Sequence, residues 1–224
     1  MPTILITGAG RGLGLELARQ YAQDGWRVIG TVRNPRAKAD LTKVRAEALT
    51  IDVGEPAQAR QLASRLKGVS LDVLYYNAGT IGKRGMALGT FDYAAWEEVL
   101  RVNLLGAAAV IEALVENVAA SEQKKIAVMS SRLGSIAESS GMTLPYATSK
   151  AALNLLAKGL AATLAPRGII VVALSPGWVK TDMGGESAPL TPEVSVRGLR
   201  KVLAALRRED SGKFLSYDGS PIPW

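Results

Sequence analysis

Thr7-Gly8-Ala9-Gly10-Arg11-Gly12-Leu13-Gly14 decides how this chain folds. The stretch follows the apolar run 3–6 and opens a helical pattern over 12–24. At a strand–helix junction the glycines serve different ends. Gly8 permits the tight turn, Gly12 lets the backbone approach a pyrophosphate, and Gly14 lets the helix pack closely on the sheet. The helix start adds unpaired N–H groups and a partial positive charge. The loop therefore reads as a dinucleotide-phosphate site, with Arg11 and Leu13 among the residues facing the cofactor.

Outward from the loop, β-branched and aliphatic runs at 3–6, 27–32, 48–51, 71–76, 125–130, 169–174 and 213–217 alternate with helical periodicity at 12–24, 56–67, 96–118, 145–165 and 192–208. Continuously apolar strands between helices predict an α/β, Rossmann-type, doubly wound, seven-stranded parallel sheet with helices on both faces. Gly25 is placed to cap the first helix, and Pro56 and Pro192 stand where first helical residues are expected. With no repeat or linker, residues 1–224 are expected to form one domain.

The second strand ends Gly30-Thr31-Val32-Arg33-Asn34. A carboxylate there would hold the ribose 2′-OH of NAD, whereas a cation accommodates the 2′-phosphate of NADP. Arg33 stands in that place and Arg11 can add a second charge, so NADP(H) is favoured over NAD(H).

The 224 residues include neither cysteine nor histidine. Thiolate and His-dependent catalysis are excluded, as are most zinc sites, and no metal is expected. Acid–base work falls to Tyr, Lys, Asp or Glu. The N-terminus lacks a charged leader, and no apolar stretch approaches the ~20 residues of a membrane span; a cytoplasmic protein with no membrane partner is expected. The net charge of +7 reads first as a solvated basic surface. Arg197, Arg200, Lys201, Arg207 and Arg208 give the helix at 192–208 a basic face, but no aromatic platform accompanies it and no nucleic-acid partner is expected.

Tyr146 and Lys150 are four apart in Tyr146-Ala147-Thr148-Ser149-Lys150. On a helix they share a face, and a neighbouring ammonium favours the phenolate, pulling the tyrosine pKa toward neutrality. Such a phenol can donate and accept protons.

The loop, this pair and their separation resemble the classical short-chain dehydrogenase/reductases over essentially the whole chain. Asp52-Val53 looks like the family's adenine contact, and Asn77-Ala78-Gly79 like the motif ending the fourth strand. Asn103 matches the helix Asn of the catalytic tetrad, and Ser130-Ser131 ends the fifth strand. Pro176-Gly177-Trp178-Val179-Lys180-Thr181 looks like the segment packing on the nicotinamide. Ser130-Ser131-Arg132-Leu133-Gly134-Ser135 and the ending Tyr217–Trp224 further resemble the C-factor and sniffer-like carbonyl reductases. The resemblance implies that Tyr146 transfers the proton, Lys150 lowers its pKa and bonds the nicotinamide ribose, Ser131 holds the substrate oxygen, and Asn103 holds a relay water. Two features depart from the family pattern. Tyr76 stands where the family has Asn, and Ser131 lies 15 residues before Tyr146, farther than is usual, which leaves Ser130 and Ser135 as weaker alternatives.

The resemblance implies that the segment 180–192, after the sixth strand, is the substrate lid, and its shortness suggests an open pocket. Leu133, Met142, Trp178 and Met183 could line it, favouring an apolar or aromatic carbonyl compound, or could be ordinary packing. Alanine runs on the helices at 96–118 and 145–165 permit close helix approach. The resemblance implies a homodimer through these helices, with a tetramer as the larger form, and the alternative is packing within one subunit. The expected function is NADPH-dependent carbonyl reduction or its reverse. The alternative is a dinucleotide-binding signalling protein with little turnover.

Overall fold

Strand β1 (Thr3–Ile6) sits mid-sheet because its residues alternate between the two apolar layers. Ile4 and Ile6 join one core cluster and Leu5 the other, each fully buried. A computed structural model of the chain describes residues 1–86 and 88–224. In it β2 (Arg27–Val32), β3 (Glu47–Thr50), β4 (Val73–Tyr76), β5 (Lys125–Met129), β6 (Ile170–Ser175) and β7 (Phe214–Ser216) complete a seven-stranded sheet in the order 3-2-1-4-5-6-7. Every neighbouring pair is parallel.

The helices are α1 (Gly12–Gln23), α2 (Lys38–Lys43), α3 (Pro56–Arg65), α4 (Tyr93–Leu100), α5 (Gly106–Ala119), α6 (Leu144–Leu164) and α7 (Pro192–Ala205). Residues of α3, α5 and α6 fill one core, and residues of α1, α2 and α7 fill the other. Right-handed parallel crossovers require this two-sided cover. The direction of winding reverses between β1 and β4, whose Ile6 and Tyr75 are in register. The crevice at that switch point, beyond the carboxyl ends of the strands, is where open α/β sheets bind ligands.

Gly25 ends α1 at φ +78°, and Pro56 and Pro192 are the first residues of α3 and α7. The expected helix at 96–118 is different in form. It starts earlier, where the Asp92 carboxylate caps Ala95 N–H at 3.1 Å, and a π-helical turn at Arg101–Leu105 divides it into α4 and α5. The basic face of α7 is also incomplete. Arg200 lies over the Tyr21 ring at 4.6 Å and pairs with Asp24, so it joins α7 to α1 instead of facing outward. No helix among the described residues is long and apolar enough to cross a membrane.

Candidate active site

The glycine loop is locked from below by β4. The Thr7 hydroxyl accepts from Asn77 and Ala78 N–H, both at 3.0 Å. The Asn77 amide donates to the Thr7 and Gly8 carbonyls at 3.0 and 3.1 Å. Asn77, expected at the cofactor, has its side-chain amide fixing the loop. Gly8 has φ +64°, and a Cβ there would stand 2.8 Å from Ala78 Cα. Gly12 has φ +53°, but its Cβ direction opens toward Thr181 Cγ2, 3.7 Å away. Arg11, the N-cap of α1, makes no side-chain cap bond, which leaves the first-turn N–H groups at Gly12, Leu13 and Gly14 for an anion. Leu13 packs its side chain on the core. A backbone cradle with room at Gly12 and an uncapped helix start fits a pyrophosphate.

At the far end of the crevice Arg33 is exposed just beyond β2. Arg36 follows one turn later; its backbone N–H is held by Asn34 Oδ1 at 3.0 Å. Neither guanidinium has an ion-pair partner among the described residues. Sequence reading missed Arg36; the Asn34-Pro35 turn that returns the chain was its signal. Arg11 lies elsewhere, paired with Asp182 at 2.8 Å, with both side chains about four-fifths exposed. So open a pair is readily exchanged for another anion. Asp52 follows β3, its Oδ1 accepting from Gly54 N–H at 2.9 Å, and Val53 is buried.

The other end holds the predicted proton-transfer residues. Tyr146 and Lys150 lie on one face of α6, with Lys150 Nζ 5.5 Å from the phenol ring centre. The Ser131 hydroxyl hydrogen-bonds with the Tyr146 side chain. A Cβ on Gly79 would lie 3.2 Å from Asn103 Oδ1 and 3.4 Å from Lys150 Nζ. Asn103 is fully buried in the π-helical turn. Its Oδ1 accepts from Thr80 N–H at 2.8 Å, and its Nδ2 donates to Thr80 O and Ser149 Oγ, both at 2.9 Å. These bonds satisfy its amide.

Of the three serines, only Ser131 stands at the phenol. Ser130 is buried and donates to Asn154 Oδ1 at 2.6 Å, while Ser135 donates to the Trp224 backbone oxygen at 3.3 Å. Tyr76, the departure in the fourth-strand motif, has a use of its own. Its buried hydroxyl donates to Val102 O at 2.6 Å, bracing the π-helical turn beside Asn103. Gly106 makes room, since a Cβ there would stand 2.6 Å from that hydroxyl.

In the chain alone, burial outweighs the effect expected of Lys150 on Tyr146. Burial pushes the Tyr146 phenol up to about 12, with the Ser131 hydrogen bond opposing, and burial pushes the Lys150 ammonium down to about 7. Desolvation penalises both charged forms, and the ammonium points at Met129 O, 2.7 Å away, instead of at the phenol. An anion in the adjoining crevice favours the ammonium again.

The lowered value makes a prediction for stability. A lysine depressed in the fold contributes fully above its unfolded pKa of ~10.4, and that contribution is lost as pH falls toward the folded value. Urea unfolding of the protein without dinucleotide should show wild type gaining on Lys150→Met as pH rises from about 7 to about 10. A flat difference contradicts the buried-ammonium account.

A cleft of about 400 Å³ opens between residues 81–86 with Leu88 and residues 141–145, which lead into Tyr146, with Ile81, Met86, Leu88, Met142, Leu144 and Pro145 on its walls. Of the four residues expected at the substrate, Met142 is on the cleft walls and Leu133, Trp178 and Met183 are not. Trp178 Nε1 donates to Gly184 O at 2.8 Å and Arg84 to Met183 O at 2.6 Å, so Trp178 and Arg84 each tie down the 180–192 segment. That segment is tied at its base by Lys180 N–H to Leu190 O at 2.8 Å. Gly177 before it has φ +77°, with Leu190 and Tyr217 against it, and Ser195 Oγ holds Pro176 O at 2.6 Å. Val179 is buried, paired with Leu190, and Thr181 accepts from Gly184 N–H at 3.1 Å.

A doubly wound sheet, a glycine-loop cradle and a Tyr–Lys pair beside Ser131 and Asn103 define a nucleotide-dependent oxidoreductase. The family model for short chain dehydrogenase matches residues 2–190, and the chain belongs to that family of short-chain dehydrogenases/reductases. Among known proteins it is 39% identical over 166 residues to the C-signal of Myxococcus xanthus, covering 74% of this chain and 99% of that one. Its fold matches the carbonyl reductase Sniffer of D. melanogaster with a TM-score of 0.90 at 34% identity, over 100% of both chains. It also matches an NADPH-bound carbonyl reductase from chicken fatty liver with a TM-score of 0.92 at 31% identity, covering 100% of this chain and 99% of the other. The chain thus falls with the C-factor and sniffer-like group.

Proposed function

We propose that this protein is an NADPH-dependent reductase of aldehydes or ketones, also able to run the reverse oxidation, with residues 1–224 acting as one dinucleotide-binding unit. The observation that carries the reading is the Tyr146 phenol held between Ser131 and Lys150 at the crevice end, next to an apolar cleft. Backbone N–H groups at Gly12, Leu13 and Gly14 hold the pyrophosphate below Gly8. Arg33 and Arg36 take the 2′-phosphate, with Arg11 released from Asp182 as a further charge. Asp52 and Val53 meet the adenine; Ala78 and Gly79 back the ribose side. Pro176, Gly177, Val179 and Thr181 flank the nicotinamide. When bound, the reduced nicotinamide supplies the hydride.

The chain supplies the rest. Ser131 donates a hydrogen bond to the carbonyl oxygen and holds it at the phenol, and Tyr146 gives that oxygen its proton as negative charge develops there. The ammonium of Lys150 stabilises the phenolate left behind and bonds the nicotinamide ribose. Asn103 positions a water through its backbone carbonyl, returning the proton by way of Lys150. The cleft walls favour an apolar or aromatic substituent on the carbonyl, with 180–192 as lid. We further propose a cytoplasmic homodimer through α5 and α6. Likeness to the C-signal favours a second reading, a dinucleotide-binding signalling role with little turnover; the assembled proton-transfer residues place turnover first.

The test is NADPH oxidation against a panel of aldehydes, ketones and quinones. Turnover on apolar members is expected, and none across the panel, with NADPH bound, would favour the signalling role. Arg33→Ala is expected to weaken NADPH about tenfold or more, the loss of a charge-assisted hydrogen bond, and to leave NADH within about twofold. Equal loss for both would remove the 2′-phosphate assignment.

A further inference from the structure

Tyr146, Lys150 and Asn154 follow one another at intervals of four along one face of α6. Asn154 is 2% exposed. Its Nδ2 donates to Gly134 O at 3.1 Å, and its Oδ1 accepts from Ser130 Oγ at 2.6 Å. The orientation is unambiguous because a backbone carbonyl only accepts. One amide therefore grips the chain on both sides of Ser131. Gly134 also lies directly on the helix, where a Cβ would stand 2.8 Å from Lys150 Cβ and backbone C. The same turn fixes Ser131 itself, whose Oγ accepts from Leu133 N–H at 3.2 Å. With that lone pair engaged, its O–H is left to be donated on the Tyr146 side.

We infer that Asn154 is a positioning residue, docking the Ser131 turn onto α6 so that the Ser131 hydroxyl and the Tyr146 phenol converge on one substrate oxygen. The inference rests on the carbonyl-reductase reading above. A shift of ~1 Å in such a pair costs up to about 100-fold in rate, and a buried amide holding a turn is well placed to prevent it.

The test is a double-mutant cycle between Asn154→Ala and Ser131→Ala in the full chain with NADPH and a carbonyl substrate. Asn154→Ala alone is expected to lower kcat about tenfold or more while leaving the KM for NADPH within about twofold. In the Ser131→Ala background it should cost almost nothing further, because the hydroxyl it positions is gone. Ser130→Ala, which removes one hydroxyl and is the milder change, should give a smaller loss that likewise vanishes in the Ser131→Ala background; it carries the cycle if Asn154→Ala fails to fold. Wild-type kcat in Asn154→Ala and Ser130→Ala, an equal loss with and without Ser131, or NADPH binding lost in step with kcat would each overturn the inference. Wild-type protein inactive toward every carbonyl would overturn the reductase reading itself, a result distinguishable from the others and one that removes this inference too.

Discussion

Tyr146→Phe is expected to lower carbonyl reduction by about 10³-fold, the middle of the range for losing a general acid. The change removes one oxygen and keeps the ring. Tyr146 is 8% exposed, and the packed ring accounts for most of its contribution to the fold, so the variant should unfold within a few degrees of wild type. NADPH affinity should hold within about twofold, since the phosphate cradle and Arg33 are untouched. Ser131 and Lys150 remain and should sustain a residual rate. Single-turnover kinetics at saturating NADPH read the step directly. A fall under about tenfold with unchanged binding would assign the proton to another group, and the absence of histidine leaves few others.

The second large effect belongs to the glycine loop. Gly14 is helical, and alanine in an exposed helix interior would ordinarily stabilise by ~1 kcal/mol. Here a Cβ would strike Gly8 O, stand 2.5 Å from Asn77 Nδ2 and 2.9 Å from Ala9 Cα. Those atoms cannot yield freely, because the Asn77 amide holds both the Thr7 and Gly8 carbonyls. Overpacking of this kind costs ~1–3 kcal/mol and outweighs the helix gain. Gly14→Ala should therefore unfold earlier and bind NADPH about 100-fold more weakly, the equivalent of ~2.7 kcal/mol, as read by fluorescence titration. Gly159 in α6 is the control, since a Cβ there meets nothing within 4 Å and alanine should stabilise. Gly14→Ala with wild-type affinity would contradict the close-packed loop.

Much of this architecture is local and so was legible. β1 and β2 fall at the predicted bounds because each is a short apolar run ended by glycine or a polar turn. The glycine loop is legible for the same reason, as its function depends on neighbours in sequence. What escaped depends on distant partners or weak patterns. Helix α2 has six largely polar residues and no period to read. The π-helical turn has no local signature; Tyr76 and Thr80, from the end of β4 and the residues after it, brace it through Val102 and Asn103. Spacing could not choose among Ser130, Ser131 and Ser135, whereas burial against Asn154 and Trp224 separates them at once. Trp178 and Met183 are large and apolar, but sequence alone did not show that the Trp178 indole is tied to Gly184 O or that Arg84 reaches the Met183 carbonyl. The raised Tyr146 phenol illustrates the limit of a spacing argument. Helical geometry brings charge beside it, but burial, which no spacing reports, decides which effect wins.

The central claim is that this chain carries hydride from NADPH to a carbonyl carbon while Tyr146 protonates its oxygen. Transfer of deuterium from 4-deuterated NADPH into the alcohol, followed by mass spectrometry, tests it most directly. The account predicts one deuterium on the former carbonyl carbon with wild type and almost none over the same interval with Tyr146→Phe, both proteins having NADPH bound. Alcohol without deuterium from either hydride face, or equal incorporation by the two proteins, would contradict it.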